Sequence, residues 1–157
     1  MEELTELLRR SDLFCGLAEE DIRRLIAIGH WATYDTDETI IREGDPSDKL
    51  YIIQKGMVEV VVPHGTVPDI PGPPEATPVV RLGEGQIFGE MGLVDRGGRS
   101  ATVRAITDGT TVFILPRDAF YDLCEQNHTI GYTVMRNIAR DLSFKLRHRN
   151  LRVVAGW

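Results

Sequence analysis

The chain has 157 residues, of which 42% are hydrophobic and 27% are charged, and its formal net charge at pH 7 is -6. This composition is that of a soluble globular domain, and it excludes collagen, global disorder and a span of the roughly 20 apolar residues that a bilayer requires. The acidic balance also disfavours nucleic-acid binding across the whole surface, although it leaves room for a local cationic pocket.

The first 30 residues predict two helices. Leu4, Leu7 and Leu8 recur at helical spacing, and after a break at Cys15-Gly16 the segment LAEEDIRRLIAIG repeats the pattern. Gly29 predicts the end of the second helix. Charge is mixed throughout the first 15 residues, without the apolar core of a signal peptide, so we expect a cytoplasmic protein.

The two cysteines, Cys15 and Cys124, lie far apart in the sequence and show no CxxC spacing. This argues against a zinc site and against a disulfide framework. We expect both to be small buried apolar side chains. No metal site is therefore predicted, and no cofactor is predicted either.

Residues 31–115 predict an antiparallel β-structure. Short β-branched runs recur at intervals of about 8 to 12 residues with turn signals between them, which is typical of a sandwich or barrel of about eight strands. The turns are predicted at Gly44-Asp45-Pro46, Lys55-Gly56 and Asp108-Gly109, where glycine adopts backbone angles that other residues resist.

The segment PHGTVPDIPGPPEATP, residues 63–78, interrupts this pattern with six of the chain's eight prolines. Each proline removes a donor from a strand ladder, so the segment is predicted to be an exposed, partly extended loop rather than a central strand. Two interpretations stay open for it: a tolerated insertion at the tip of a hairpin, or a proline motif that binds a partner.

The final third of the chain predicts helices again. Pro116 sits where a first-turn proline is tolerated, DAFYDLCEQ continues as a short helix, and residues 129–149 form a long one. The apolar residues of the long helix step by four: Ile130, Val134, Ile138, Leu142 and Leu146. A helix of some 20 residues is roughly 30 Å long, more than a small barrel covers. We expect part of this stripe to form a homodimer with a second copy; the alternative is that it only caps its own barrel.

The stretch FGEMGLVDRGGRSATVRA, residues 88–105, combines the residue types of an anion site. Gly89 allows close backbone approach, and EMGL is compatible with one helical turn whose free N–H groups attract anions. Arg99 offers a planar fork of donors suited to a phosphate, and Glu90 offers acceptors for a sugar hydroxyl. Together they describe a site for a nucleotide with a compact phosphate. The alternative is a simple salt bridge between Glu90 and Arg99 that closes a loop.

The same stretch resembles the phosphate-binding cassette of the cyclic nucleotide-binding domain family, of the catabolite activator and protein kinase A regulatory subunit type. The family pattern is approximately F-G-E-[L/I/M]-[A/G]-L, a short loop, then R-[A/S/T]-A-T-V; here it reads FGEMGL at 88–93 and RSATV at 99–103. Upstream, LFCGLAEEDI and IIREGDPSDKLYIIQKGMVEV resemble the family's helical lead-in and first strands. The resemblance covers residues 12–147.

The resemblance implies a mainly β fold: an antiparallel β-roll (double-stranded β-helix, or jelly-roll) with N-terminal helices and a C-terminal helical pair. The chain would be a single domain over 1–157, with helices at 1–30, the roll at 31–115 and the C-terminal helices at 116–150. The implied function is that of a regulatory sensor in signal transduction. It would bind a cyclic nucleotide reversibly, perform no chemistry on it and signal by moving its C-terminal helices.

By position, the resemblance implies that Arg99 pairs with the cyclic phosphate and that Glu90 accepts a hydrogen bond from the ribose 2'-hydroxyl. It also implies close backbone or hydroxyl contacts for Gly89, Met91 and Ser100. The other implied ligand-binding residues complete the turn or line the pocket: Gly92, Leu93, Val60, Val80, Ala101 and Val103.

Three positions bear on rigidity and on the choice of base. Gly98 stands where many members of the family have proline, which concerns the rigidity of the loop. A hydroxyl such as that of Ser100 occurs in binders of both cyclic AMP and cyclic GMP, and the position that faces the base aligns with Lys145. The base therefore stays open, with cyclic AMP favoured on family frequency.

Other functions find less support in the residues. The histidines lack HExxH or triad spacing, and LGEGQIFG misses the dinucleotide-binding glycine pattern, so an enzyme is not predicted. Direct nucleic-acid binding is not expected, because the basic run at 140–152 is interpreted as a solvated helix face leading to an unidentified partner protein. Membrane binding is not expected either, since the chain has no apolar run long enough for a bilayer. Two alternatives remain: a domain of this fold that has lost its ligand and serves protein interaction, or a fragment of a transcription regulator or other multidomain effector.

Overall fold

The computed structural model describes residues 2–46, 48–61, 79–95, 97–99 and 101–148, with only the backbone at Lys145. The helices are α1 (Glu2–Arg10), α2 (Glu19–Ile28), α3 (Arg117–Gln126) and α4 (His128–Arg147). The strands are β1 (His30–Tyr34), β2 (Thr39–Ile41), β3 (Lys49–Lys55), β4 (Val58–Val61), β5 (Val79–Leu82), β6 (Ile87–Phe88), β7 (Thr102–Ala105) and β8 (Thr110–Pro116). A single 3₁₀ turn, Glu90–Leu93, separates β6 from β7.

The strands form two four-stranded antiparallel sheets. One has the order β1-β8-β3-β6 and the other the order β2-β7-β4-β5. Side chains from the inner faces of both sheets meet in an apolar interior, as in other two-sheet folds. Its buried members include Ile53, Val58, Val60, Val103 and Val112. The predicted antiparallel β-roll with flanking helices is confirmed.

The helices cover the outer face of the first sheet and form a second core there. Leu50 and Ile52 of β3 belong to this helix-side core together with Phe120 of α3, whereas Ile53 faces the interior of the roll. β3 is therefore buried on both faces. This double burial hides the polar-apolar alternation by which a half-buried strand is recognised in a sequence.

The helix ends follow the sequence with small differences. α2 ends at Ile28, as predicted. Gly29 is needed there for steric reasons and not for a left-handed backbone, since its φ is -100° and a Cβ would lie 2.1 Å from Cζ of Phe113. Pro116 closes β8 and lies one position before α3 rather than in its first turn. The long helix runs from His128 to Arg147 instead of the predicted 129–149, and residue 149 lies outside the described residues.

One face of α4 packs against its own domain and another faces solvent. The buried face carries Ile130, Val134 and Ile138. Asn137 extends this contact, because its Nδ2 donates hydrogen bonds of 2.9 Å to the carbonyl oxygens of Leu13 and Cys15. Tyr132 and Leu146 are 68% and 66% exposed. The apolar residues of α4 thus cap the domain and also leave surface available.

The expectation that both cysteines are buried is wrong for Cys15. Cys15 is exposed, since it lies in the turn between α1 and α2, where its Sγ reaches the carbonyl oxygen of Asp12 at 3.4 Å. Cys124 in α3 is half-buried. The structure therefore leaves Cys15 accessible to solvent and gives Cys124 partial cover.

The predicted turns at Gly44, Gly56 and Gly109 are confirmed, with φ values of 88°, 88° and 69°. The proline-rich segment 63–78 lies outside the described residues. Within the part of the chain that the structure covers, no helix has the length and apolarity to cross a membrane. The same part holds no group of three or more side chains suited to a metal ion.

Candidate functional site

The candidate site is built on the turn that follows β6. Gly89 adopts φ +80°, a left-handed conformation that glycine tolerates, and Glu90–Leu93 then form the 3₁₀ turn. The amide of Gly92 donates to the carbonyl oxygen of Gly89 over 2.9 Å, which closes the turn. The helical turn predicted for EMGL is confirmed. We call Gly89–Leu93 the cassette turn.

Arg99 reaches the cassette turn because a neighbouring loop holds its backbone. Its amide donates to the carbonyl oxygen of Asp45 over 2.9 Å, and its carbonyl oxygen accepts from the amide of Gly44 over 2.8 Å. The side chain then extends to Gly89: a Cβ there would lie 2.8 Å from Nη1 of Arg99. Glycine is needed at this position both for its φ and for the space that the guanidinium occupies.

The guanidinium of Arg99 is buried and only partly satisfied. The residue is 5% exposed, and its Nη2 donates to the carbonyl oxygen of Lys49 over 2.7 Å. Its Nη1 has no hydrogen-bond partner among the described residues. Burial lowers the pKa of Arg99 from its ordinary value, opposed by Tyr51 and by three nearby carboxylates. The alternative of a simple salt bridge between Glu90 and Arg99 is not seen, since no ion pair joins these two described residues.

A cavity of about 200 Å³ lies beside Arg99. Its lining mixes apolar side chains with charged ones: Ile40, Ile41, Asp45, Pro46, Asp48, Lys49, Tyr51 and Arg99. Asp48 is paired with Lys49, whose Nζ lies 3.3 Å from Oδ1. The arginine is therefore the buried cation of this cavity, whose wall also carries the carboxylate of Asp45.

Glu90 lines a different cavity. Its side chain is buried, with the residue 6% exposed, and it borders a space of about 390 Å³. The other walls come from Gln86 and Ile87, from the turn after α1, and from Asp141 of α4. Glu90 is close enough to Arg99 to raise its pKa.

The apolar residues implied for the pocket lie in the interior of the roll. Val60 pairs with Val80 on one side and with Val103 on the other, so the three occupy adjacent strands at one level. Ala101 is buried beside them. None of these four residues lines the cavity beside Arg99 or the cavity beside Glu90.

The remaining implied residues belong to the cassette turn or lie outside the structure's description. Met91 is half-buried, whereas Gly92 and Leu93 are buried. Leu93 belongs to the helix-side core. Ser100 lies outside the described residues.

Sequence reasoning missed two features around the cassette turn. Tyr51 stacks against the site from β3, which the double burial of that strand conceals. Arg117, the first residue of α3, donates from Nη1 to the carbonyl oxygens of Gly92 and Asp95 over 3.3 and 2.9 Å. The sequence did hint at a role for Arg117. A cation in the first turn of a helix interacts unfavourably with the helix dipole, so its presence there indicates a contact outside the helix.

Tyr121 joins this contact one helical turn later. Its hydroxyl donates to the carbonyl oxygen of Leu93. Arg117 also anchors its own backbone, since its amide donates to the carbonyl oxygen of Asp48 over 2.9 Å. We call Arg117 and Tyr121 the α3 clamp, because together they hold the end of the cassette turn to α3.

Comparison with known proteins places this geometry in a family. The family model described as the cyclic nucleotide-binding domain matches residues 31–127. The chain is 32% identical to Glutaminase 1 of Bradyrhizobium diazoefficiens over 96% of its own length, and 30% identical to the Cyclic AMP receptor protein of Thermus thermophilus over 86%. It spans 22% of the former protein and 59% of the latter.

The fold has a similar counterpart among solved structures. A cyclic nucleotide-binding domain from Methylobacillus flagellatus superposes with a TM-score of 0.77 at 27% identity, over 99% of this chain and 83% of that one. The matched family region contains the cassette turn, Arg99 and the α3 clamp. The chain belongs to the cyclic nucleotide-binding domain family.

Proposed function

We propose that this chain is a sensor module that reversibly binds a cyclic nucleotide, cyclic AMP in preference to cyclic GMP, and signals by moving α3 and α4. One observation carries the proposal: Arg99 is buried and its Nη1 lacks a partner within the described part of the chain. A buried cation with an unused donor is costly until an anion completes it. The adjacent cavity of about 200 Å³ has room for a phosphate group.

The proposed contacts follow from this geometry. Arg99 pairs with the cyclic phosphate at the cassette turn, where Gly89 and Met91 bring the backbone close. Glu90 accepts a hydrogen bond from the ribose 2'-hydroxyl. Ser100 adds a hydroxyl contact beside Arg99.

The remaining proposed contacts are apolar. Gly92 and Leu93 complete the turn around the ligand. The apolar wall is formed by Val60, Val80, Ala101 and Val103. The chain performs no chemistry on the ligand.

The α3 clamp supports the proposed signal. Arg117 and Tyr121 bind three carbonyl oxygens at the end of the cassette turn, so a shift of that turn displaces the start of α3. α3 and α4 are tightly packed: a Cβ on Gly131 of α4 would lie 3.0 Å from Cβ of Cys124. A ligand that binds one position of the turn more tightly than another will therefore shift both helices.

The exposed side of α4 supports a homodimer. Tyr132, Met135, Ala139, Leu142 and Leu146 follow alternating steps of three and four residues, the spacing of a coiled-coil seam. The first, third and fifth of them are exposed, and the other two are partly buried. We call these five residues the α4 seam.

The chain spans part of the relatives that it matches, so its output is proposed to lie in a protein that it regulates or in a further segment of a larger effector. The preference for cyclic AMP rests on the frequency of cyclic AMP binders in the family, since relatives named for either nucleotide match the chain to a similar degree. Competition between the two nucleotides in one calorimetric titration tests this preference. Tighter binding of cyclic GMP would reverse it.

Binding itself is tested with Arg99→Met, which keeps the length of the side chain and removes the charge. At about 100 times its dissociation constant, cyclic AMP stabilises the wild type by roughly 2.7 kcal/mol in thermal unfolding. We expect Arg99→Met to weaken the affinity about 10- to 100-fold, since hydrogen bonds to charged groups contribute about 1.5 to 3 kcal/mol.

The matched control is Arg104→Met. Arg104 is an exposed arginine of β7 that pairs with Glu59 over 2.8 Å, away from the cassette turn. We expect this variant to bind like the wild type. No stabilisation of the wild type by either nucleotide would favour the alternative of a ligand-free interaction module.

A further inference from the structure

The ring of Tyr51 contacts two groups at the cassette turn, the ring of Phe88 and the guanidinium of Arg99. The two rings are parallel, with an angle of 2° between their planes and 4.8 Å between their centroids. Cζ of Arg99 lies 5.8 Å from the centroid of Tyr51, within the range of a cation-π contact. Tyr51 thus contacts both an apolar ring and a cation.

Strand pairing explains how these contacts are assembled. Tyr51 of β3 lies opposite Phe88 of β6, and Phe88 directly precedes Gly89 of the cassette turn. Lys49, two residues before Tyr51, accepts the hydrogen bond from Nη2 of Arg99 through its carbonyl oxygen. β3 therefore holds the guanidinium at two points, with a backbone carbonyl at one end and a ring beneath it.

These contacts leave one end of the guanidinium available. Nη1 is the nitrogen without a partner in the described residues, and it lies next to Gly89. The ring offers no competing anion, because burial raises the pKa of Tyr51 to about 12 and the phenol stays neutral at physiological pH. The ring therefore orients the cation without neutralising it.

We propose that Tyr51 is a positioning residue for the ligand's phosphate: its ring, supported by Phe88, holds the Arg99 guanidinium so that Nη1 faces the anion before the ligand arrives. This inference rests on the proposed binding of a cyclic nucleotide. A long arginine side chain otherwise loses rotamer freedom when it binds, and a guanidinium that is already ordered avoids that loss. The ring rather than the hydroxyl performs this role.

Affinities of Tyr51→Leu and Tyr51→Phe for cyclic AMP, measured by calorimetry, test the proposal. We expect Tyr51→Leu to weaken binding about 5- to 30-fold, the range of a partly desolvated cation-π contact. Tyr51→Phe keeps the ring and is expected to bind within about twofold of the wild type. Where Tyr51→Leu fails to fold, Tyr51→Met removes the ring with a more flexible side chain.

Phe113→Leu is the matched control. Phe113 is a buried aromatic residue of the adjacent strand β8 that packs on Trp31, with ring centroids 5.3 Å apart, and it belongs to the helix-side core, whereas Tyr51 belongs to the interior of the roll. It should lose stability without losing affinity. Equal loss of affinity in Tyr51→Leu and Phe113→Leu, or in Tyr51→Phe and Tyr51→Leu, would overturn the proposal.

A double-mutant cycle separates this inference from the proposed function. Urea unfolding of ligand-free Tyr51→Leu, Arg99→Met and the double variant should show changes in the free energy of unfolding that do not add, because each single change removes the same contact. Additive changes would overturn the inference even if cyclic AMP binds. Conversely, a wild type that binds neither cyclic AMP nor cyclic GMP contradicts the proposed function, whatever the cycle shows.

Discussion

The burial of Arg99 lowers the stability of the ligand-free protein. Its guanidinium is buried, and one of its nitrogens has no partner in the described residues. Buried ions are retained only where pairing repays their desolvation, and replacing them by apolar groups is often neutral or stabilising. Arg99→Met should therefore leave the ligand-free protein at least as stable as the wild type while it weakens binding, as expected for a residue kept for function.

Gly89→Ala tests the close approach of Arg99 to the cassette turn. A Cβ at Gly89 meets Nη1 of Arg99 at 2.8 Å and the carbonyl oxygen of Lys49 at 3.0 Å, so the guanidinium must move. We expect thermal unfolding to show a loss of more than about 1 to 2 kcal/mol, the range for left-handed backbone strain alone. Calorimetry should show affinity for cyclic AMP reduced about 10-fold or more.

Gly109→Ala is the control for this variant. Gly109 also has a positive φ, +69°, but an added Cβ meets nothing within 4 Å. This variant carries the backbone strain without the contact, so it should lose stability and keep its affinity. Equal affinities in Gly89→Ala and in the wild type would show that Arg99 accommodates a methyl group and that the close approach is unimportant for binding.

At the scale of elements, the start of α3 is joined to the cassette turn rather than merely adjacent to it. The carbonyl oxygens at the end of a helical turn have no partners within the turn and need donors from elsewhere. The α3 clamp supplies these donors, while Leu93 places its side chain in the helix-side core. A polar and an apolar contact thus connect the turn to the same helix.

Arg117→Met should separate ligand binding from the response of the helices. In the wild type, cyclic AMP should slow hydrogen exchange in residues 116–148. In Arg117→Met we expect stability to fall by about 1 to 3 kcal/mol, because buried carbonyl oxygens lose a donor. Binding should persist, but the slowing should be confined to the cassette turn.

Arg140→Met is the control for the α3 clamp, since it removes an exposed arginine of α4. Cyclic AMP should slow hydrogen exchange in this variant as it does in the wild type. Full slowing in Arg117→Met would show that the clamp does not transmit the change. Identical exchange of the wild type with and without ligand would refute movement of the helices and leave the binding proposal intact.

The α4 seam makes a prediction about assembly. Ala139→Glu places a charge in the middle of the seam and should shift the mass measured by light scattering from dimer to monomer. Arg140→Glu changes the charge more strongly at the next exposed position, off the seam, and should remain dimeric. A monomeric wild type, or equal behaviour of the two variants, would contradict the proposed dimer.

At the scale of the whole molecule, the cassette turn passes from one core to the other. Phe88 belongs to the interior of the roll, and Leu93, five residues later, belongs to the helix-side core. The two cores also share the strands β3 and β8. A ligand at this turn therefore acts where both layers of the domain meet.

Neutral groups whose pKa is raised in the folded protein, among them the buried Tyr51 and the half-buried Cys124, make the stability of the whole domain sensitive to alkali. Burial raises the pKa of Cys124 from 9.0 to about 11 and that of Tyr51 from 10.0 to about 12. The unfolded chain releases these protons at lower pH than the folded one. Stability is thus retained below about pH 9 and falls as the pH rises toward 12.

Urea unfolding at pH 8 and pH 10.5 measures this loss. Tyr51→Phe removes one of these groups. The urea midpoint of this variant should therefore fall less between pH 8 and pH 10.5 than the midpoint of the wild type. Tyr132→Phe, which changes an exposed tyrosine, should behave like the wild type. If Tyr51→Phe loses as much stability between the two pH values as the wild type does, Tyr51 contributes nothing to the instability at alkaline pH.

The sequence predicted the parts of the site whose residues are contiguous. Gly89, EMGL and Arg99 stand close together and have specific chemistry, and the roll was readable from its regular turns. The roles of Tyr51 and Arg117 were not readable, because each depends on a partner distant in the sequence. The cavity beside Glu90 depends in the same way on walls contributed by α4 and by the turn after α1.

The pairing of β1 with β8 has a consequence for folding speed. His30 lies opposite Ile114, so the edge of the first sheet forms only after most of the intervening chain has been gathered into a loop. Closing such long loops costs entropy before any contact compensates for it, and folds dominated by distant strand pairs accordingly fold in milliseconds to seconds. Trp31 lies in this pairing beside Phe113 and provides a fluorescent marker of its late formation.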